Sequence, residues 1–180
     1  TCALPISRAV TDAELRTLLA TARVLFTSET GITVRIWLQL LDSLGLRRTE
    51  SVVSWDQFEF ASGTVTVHGK TGTRTLPLSR RMRRLLRWLH RRRPGTPWTG
   101  SRGRRLGGAT LYKYFKRLAR AAGMPNLRPH LLRHRRLTAI CRSDLGTNQL
   151  RVLQFAGQRH LSSLQYYYEV SAEEMRDFVE

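Results

Sequence analysis

Between Glu59 and Asp144 the chain has no carboxylate at all. Over all 180 residues there are only 13 acids against 31 lysines and arginines, a formal net charge of +18. A surface so poor in acids has few internal partners for its cations. It calls for a polyanion outside the chain, and nucleic acid is the commonest one. Cysteine is scarce too. Cys2 and Cys141 make no disulfide framework and have no metal-ligand spacing, so a reducing, cytoplasmic or nucleoid-associated location is expected and no metal site. There is no long apolar run, secretory signal or lipidation motif, so a membrane-surface role for the basic charge has no support. There is no P-loop and no carboxylate cluster suited to Mg²⁺, so no cofactor is expected. The chain opens Thr1-Cys2 without Met, consistent with a domain excised from something longer.

Apolar residues make up 41%, enough for one domain with a real core. Thr11 three residues before Glu14 reads as a capping box, followed at helical spacing by Leu15, Leu18, Leu19 and Ala22. A second helix is expected from about Thr33 to Leu44, ended by Gly45, and then a short helical turn at 49–54. The period then changes to two. Phe58 and Phe60, Val65 and Val67, and Arg74 and Leu76, with turns at 61–63 and 69–72, predict a three-stranded antiparallel meander with Lys70 at a hairpin tip. Further helices are expected over about 79–93, from Leu111 to Gly123, 129–143, 148–156 and 162–170. The 94–108 segment, rich in Gly, Pro and Arg, reads as a loop, and 171–180 as an acidic tail. The fold class is thus α+β, mostly helical. Trp98 is expected to pack inward and Cys141 to be a small buried residue. The arginines from Arg80 to Arg93 read as a solvated, DNA-facing surface.

Within and around the basic stretch runs an ordered polar series, Arg47, Lys70, His130, Arg133, Gln158 and Tyr167. Metal-free attack on a phosphodiester requires a nucleophile, cations on the non-bridging oxygens and an acid for the leaving 5′ oxygen. Arginine suits the second task, because its planar fork binds two phosphate oxygens and never deprotonates. His130 and Arg133, three apart on a helix, project from one face. Tyrosine, with a free pKa near ~10, needs a base or a cationic field to attack.

At these residues a family resemblance emerges. Gly45-Leu46-Arg47-Arg48-Thr49-Glu50 resembles the G-L-R-x-x-E box of tyrosine recombinases, the phage-integrase family. His130-Leu131-Leu132-Arg133-His134 resembles its H-x-L-R-H box, and Gly157 through Gln165-Tyr166-Tyr167 its final box. Gly69-Lys70 with Arg74 and Leu76-Pro77-Leu78 is similar to its β-hairpin lysine segment. The resemblance spans about 4–170. It implies that residues 1–170 form a catalytic domain and that 171–180 is a tail exchanged between protomers. It further implies that Arg47 and Arg133 clamp the scissile phosphate, Lys70 is the general acid, His130 assists at the nucleophile, and Tyr167 forms a 3′-phosphotyrosyl link. Glu50 would brace the turn carrying Arg47, and His134 would pack beneath the site. Gln158 stands where the family has His or Trp; His160 is the other candidate for that role. Three consecutive tyrosines leave the register open, and the spacing from Gly157 favours Tyr167.

Direct DNA contacts are expected from Arg74, Arg80, Arg81, Arg102, Arg104, Arg105, Lys113 and Arg159. The expected partner is double-stranded DNA, bound by a homo-tetramer on two sites, with an accessory DNA-bending protein or second recombinase. Three other readings stay open: a type IB topoisomerase-like relaxing enzyme, a DNA-binding relative with a decayed site, and a basic RNA-binding domain. The charge alone yields one testable expectation. Duplex affinity, measured by fluorescence anisotropy, falls linearly with the logarithm of salt, with a slope of about −0.9 per phosphate neutralised.

Overall fold

The computed structural model describes residues 9–26, 28–143 and 148–168, with the side chains of 165 and 166 excepted. Tail 171–180 therefore lies outside the described residues. Helix α1 (Asp12–Leu25) starts at the expected capping box: Thr11 Oγ1 accepts from the Glu14 amide, and Glu14 accepts from the Thr11 amide at 2.8 Å. Helix α2 (Ser28–Leu44) is apolar nearly all round, with Val34, Ile36, Trp37, Leu38, Leu40, Leu41 and Leu44 buried. A helix of that kind belongs at the centre, and α1, α4 (Gly108–Ala121) and α5 (Pro129–Cys141) pack around it. It begins five residues before the expected Thr33. Thr30, Gly31 and Thr33 are weak helix formers, but all three are buried where α2 meets its neighbours, and packing overrides their propensity.

Strands β1 (Phe58–Glu59), β2 (Thr64–Gly69) and β3 (Gly72–Pro77) form the expected antiparallel sheet in the order β1-β2-β3. Val65 and Val67 point into the core, while Thr66 pairs with Thr75 and His68 with Thr73 on the outer face. Gly69 pairs with Gly72, so Lys70 and Thr71 are the two-residue tip. The segment expected as a helical turn at 49–54 instead forms tight turns leading to one 3-10 turn at Trp55–Gln57.

Helix α3 (Arg80–Arg92) is capped by Ser79 and buries Met82, Leu86 and Leu89. Arg93, expected on its solvated surface, is instead buried. It bonds Glu29 at 2.5 Å and Thr33 at 2.6 Å, and ties the end of α3 to the start of α2. Trp98 packs inward as expected, 1% exposed, with Nε1 donating to the Val53 carbonyl. Helices α6 (Gln149–Ala156) and α7 (Ser162–Tyr168) close a second, smaller core with α5, containing Leu137, Cys141, Val152, Leu153, Leu164 and Tyr167. No helix among the described residues is long and apolar enough to cross a membrane.

The two turns after α2 are anchored by Trp37. Its Nε1 donates to Ser51 Oγ at 2.8 Å, and Ser51 Oγ donates in turn to the Arg48 carbonyl at 2.7 Å. Trp37→Phe removes the donor and leaves a buried acceptor unsatisfied. The expected loss is about 1–3 kcal/mol, read as a lower urea midpoint at unchanged slope.

Candidate active site

One buried carboxylate organises the centre. The Glu50 side chain is fully buried, and both of its oxygens are used. Arg74 binds it with both terminal nitrogens at 2.9 Å, and Arg47 donates through its backbone amide at 2.8 Å and NH1 at 2.7 Å. Burial alone would raise the Glu50 pKa. The hydrogen bonds from Arg74 and Arg47 more than offset it and bring the pKa down to about 2. Glu50 therefore braces the turn carrying Arg47, as the resemblance implied, and reaches the hairpin as well.

That second reach corrects one expectation. Arg74 is not a DNA-facing cation: its side chain is only 10% exposed, and it spends its fork on Glu50 and its Nε on the Phe155 carbonyl at 3.0 Å. The cause is strand parity. Arg74 lies two residues before buried Leu76 on β3 and so shares its inward face. Two glycines make room for this pair. A Cβ on Gly69 would collide with Glu50, and one on Gly157 with the Arg74 guanidinium. Gly157 also caps α6 at φ 59°, a backbone conformation that favours glycine.

The second arginine arrives from α5. Arg133 is 1% exposed and donates to the Gly45 carbonyl and the Ala156 carbonyl, each at 2.7 Å. Arg47 donates to the next carbonyl, Gly157, at 2.8 Å. Two guanidinium groups thus grip successive carbonyls of one turn. Burial, and then the nearby Arg47 charge, lower the Arg133 pKa to about 10, so it remains a cation at neutral pH. His130 lies one turn earlier on α5, on the open side. Partial desolvation of its ring, then the charges of Arg133 and Arg47, hold its pKa below the ordinary 6.5. The α5 helix is itself fastened to α2 by Arg135 and Arg136 on Asp42, a link the sequence reading did not foresee. An acid, Asp42, set among the apolar residues of the C-terminal half of α2 was its visible signal.

Lys70 is exposed at the hairpin tip. Its neighbour Thr71 donates to the Gly157 carbonyl at 2.7 Å, so the tip is tied to the same turn that Arg47 holds. Gln158 follows in that turn; its Oε1 is buried and meets no donor among the described residues. His160 is exposed, two residues further on. Arg159 is exposed and lies 3.5 Å from the Thr71 carbonyl. Arg80, Arg81, Arg102, Arg104, Arg105 and Lys113 are all exposed but belong to α3, to the loop after it, or to α4.

The tyrosines separate clearly. Tyr167 is 6% exposed, its ring centroid is 5.2 Å from that of His134, and its electrostatic influence reaches Arg133. Tyr168 turns to the Cys141 thiol; burial and that bond push its hydroxyl up to about 12. The Tyr166 side chain lies outside the described residues. His134 is buried beneath the site as expected.

A mostly helical domain with a small antiparallel sheet, in which two arginines hold one glycine turn with a histidine and a tyrosine within their electrostatic reach, has the fold of tyrosine-recombinase catalytic domains. The chain belongs to the phage integrase family, whose pattern it matches over residues 8–174. It is 31% identical over 159 residues to a tyrosine recombinase XerC from Bifidobacterium longum subsp. infantis, covering 78% of this chain and 44% of that protein. Among solved structures, the Tn1549 transposon integrase in complex with a circular intermediate DNA superposes with a TM-score of 0.79 at 13% identity, over 99% of this chain and 66% of that one. The XerH site-specific recombinase bound to its difH substrate, a pre-cleavage complex, gives 0.75 at 18% identity, over 100% and 56%. The chain spans between a third and a half of the length of the curated relatives it matches.

Glu50 sets a pH window. Its folded pKa lies below its ordinary 4.5, so the stability it contributes is complete above pH 4.5 and disappears as pH falls towards 2. The size is about 3 kcal/mol. Glu50→Gln is expected to lose several kcal/mol at pH 7, because Arg74 and Arg47 are left without their counter-charge. Its remaining stability should lack most of the wild-type acid dependence. Urea unfolding followed by circular dichroism at pH 7, 4 and 3 checks both.

Proposed function

We propose that this chain is the catalytic domain of a site-specific DNA recombinase. It cleaves and rejoins strands through a covalent 3′-phosphotyrosyl intermediate, as in integration, excision or transposition of a mobile element. The observation that supports this most is the convergence of Arg47 and Arg133 on the successive carbonyls of Gly157 and Ala156. Each guanidinium carries five N–H groups and places two of its nitrogens on protein acceptors. The remaining donors suit the non-bridging oxygens of a phosphodiester, where negative charge builds during attack.

The chemistry balances without a cofactor. The Tyr167 hydroxyl attacks phosphorus while His130 accepts its proton. The bond from phosphorus to the 5′ oxygen breaks, and Lys70 gives that oxygen a proton. A phosphotyrosyl ester replaces a phosphodiester at similar energy, so a 5′ hydroxyl can reverse the step and expel the tyrosine. Packing of Tyr167 against His134 restricts its side-chain torsions, which lowers the entropy lost on attack. The hairpin carrying Lys70 is braced on the Gly157 turn through Thr71 and Arg74. The strand and tip that carry Lys70 are thereby tied to the turn that Arg47 and Arg133 hold. By the same reading the partner is duplex DNA, the working assembly is four protomers on two sites, and residues 171–180 pass between neighbours.

A nicked suicide duplex trapped on a denaturing gel tests the mechanism. Wild type is expected to give a covalent band, Tyr168→Phe to keep it, and Tyr167→Phe to lose it by at least about 10³-fold while still binding DNA. A band that survives in Tyr167→Phe moves the nucleophile to another tyrosine. No band from any variant, with binding intact, makes this a DNA-binding relative and defeats the proposal.

A further inference from the structure

Helix α3 carries seven arginines and no acid in 13 residues. Arg80, Arg84, Arg87 and Arg91 recur at i, i+4, i+7 and i+11, which places them within an arc of about 60° at about 100° per residue. Arg81, Trp88 and Arg92 flank that stripe, and all seven residues are exposed. Arg92 meets Glu29, and Arg87 donates to the Phe60 carbonyl at 2.7 Å. Arg80, Arg81, Arg84 and Arg91 meet no carboxylate among the described residues.

As a merely solvated surface this stripe makes poor physical sense. Like charges at i, i+3 and i, i+4 repel along its whole length. Arg80 and Arg81 place cations at the N-terminal end, where the helix dipole favours anions. A helix with only solubility to serve would intersperse glutamates, which relieve both strains. A row of cations retained against these penalties fits an anion outside the chain. The row is also remote from the candidate active site. Arg83 packs on Gly63 and Arg87 on Phe60, at the turn that starts β2, whereas Lys70 follows the far end of that strand. Six strand residues separate the two places by about 20 Å. The active-site turn meets β3, whereas α3 lies by the turn between β1 and β2, the opposite edge of the sheet.

We propose that the Arg80, Arg84, Arg87 and Arg91 stripe of α3 is a second duplex-DNA surface. It grips phosphates outside the catalytic cleft, without reading bases. The helix is about 20 Å long, and duplex DNA offers one negative charge about every 1.7 Å over such a length. Guanidinium forks match phosphate oxygens, and nothing on the stripe provides the neutral donor–acceptor set that base edges require. The proposal shares its DNA partner with the recombinase reading but not its chemistry.

The test compares wild type, R80Q/R84Q/R87Q/R91Q and the corresponding four-lysine variant on a random-sequence duplex of some forty base pairs, together with covalent trapping on the suicide substrate. The glutamine variant is expected to fold as well as wild type, since it removes repulsion; circular dichroism checks this. Its salt slope for duplex binding is expected to shrink by about 3.6, at about 0.9 per phosphate for four cations. The lysine variant should keep the wild-type slope. An unchanged slope in a folded glutamine variant overturns the proposal. So does an unchanged slope combined with tighter wild-type binding after E173Q/E174Q/D177N/E180Q, which would assign the stripe to the chain's own acidic tail. Loss of covalent trapping in wild type defeats the recombinase reading and leaves the slope comparison intact.

Discussion

The centre depends on a single buried negative charge. Glu50 accepts from Arg47 on its own turn and from Arg74 on β3, and so joins the connection after α2 to the hairpin. Those arginines carry the joint onward to the Phe155 and Gly157 carbonyls at the C-terminal end of α6. Three segments far apart in the chain are thus held by one carboxylate. A buried ion pair is poor evidence for stability alone, since desolvation opposes it. Its value here is geometric: it orients a cation that would otherwise be a floppy surface arginine.

The same arrangement shows how a chain of charge +18 folds around a cationic centre. Arg133 sits almost wholly buried close to Arg47, which is unfavourable, and its lowered pKa records that cost. Backbone carbonyls at 45, 156 and 157 supply the compensating partial charges. They do so without a second acid, which would cancel the positive field that a phosphate needs. The few acids elsewhere are placed as struts: Asp42 on Arg135 and Arg136, and Glu29 on Arg92 and Arg93. What remains unneutralised is left on the surface, above all along α3.

Much of the fold was legible in advance because local signals were strong. The capping box at Thr11, the period change after Trp55, the glycine-flanked hairpin tip and proline at the first turn of α5 all lie where the pattern put them. The start of α2 was missed because burial overrode weak propensities. The inward turn of Arg74 was misjudged because arginine is normally a surface residue, although strand parity with Leu76 pointed inward. Arg93 was misjudged for the same reason. Its partner Glu29 lies 64 positions away, and no local pattern reports such a pairing.

By itself the sequence determined the class of fold, the membership implied by four ordered motifs, the residue types available for phosphate chemistry and the demand for a polyanionic partner. These rest on periodicity, spacing and net charge, which are properties of the chain in order. Only the tertiary structure decided which arginines face outward and which are struts, which of two described tyrosines lies against His134, and that α3 stands apart from the catalytic turn. Those depend on distances between residues remote in sequence. In a chain with 31 basic residues, an arginine's role is set by the carboxylate or carbonyl that folding brings beside it.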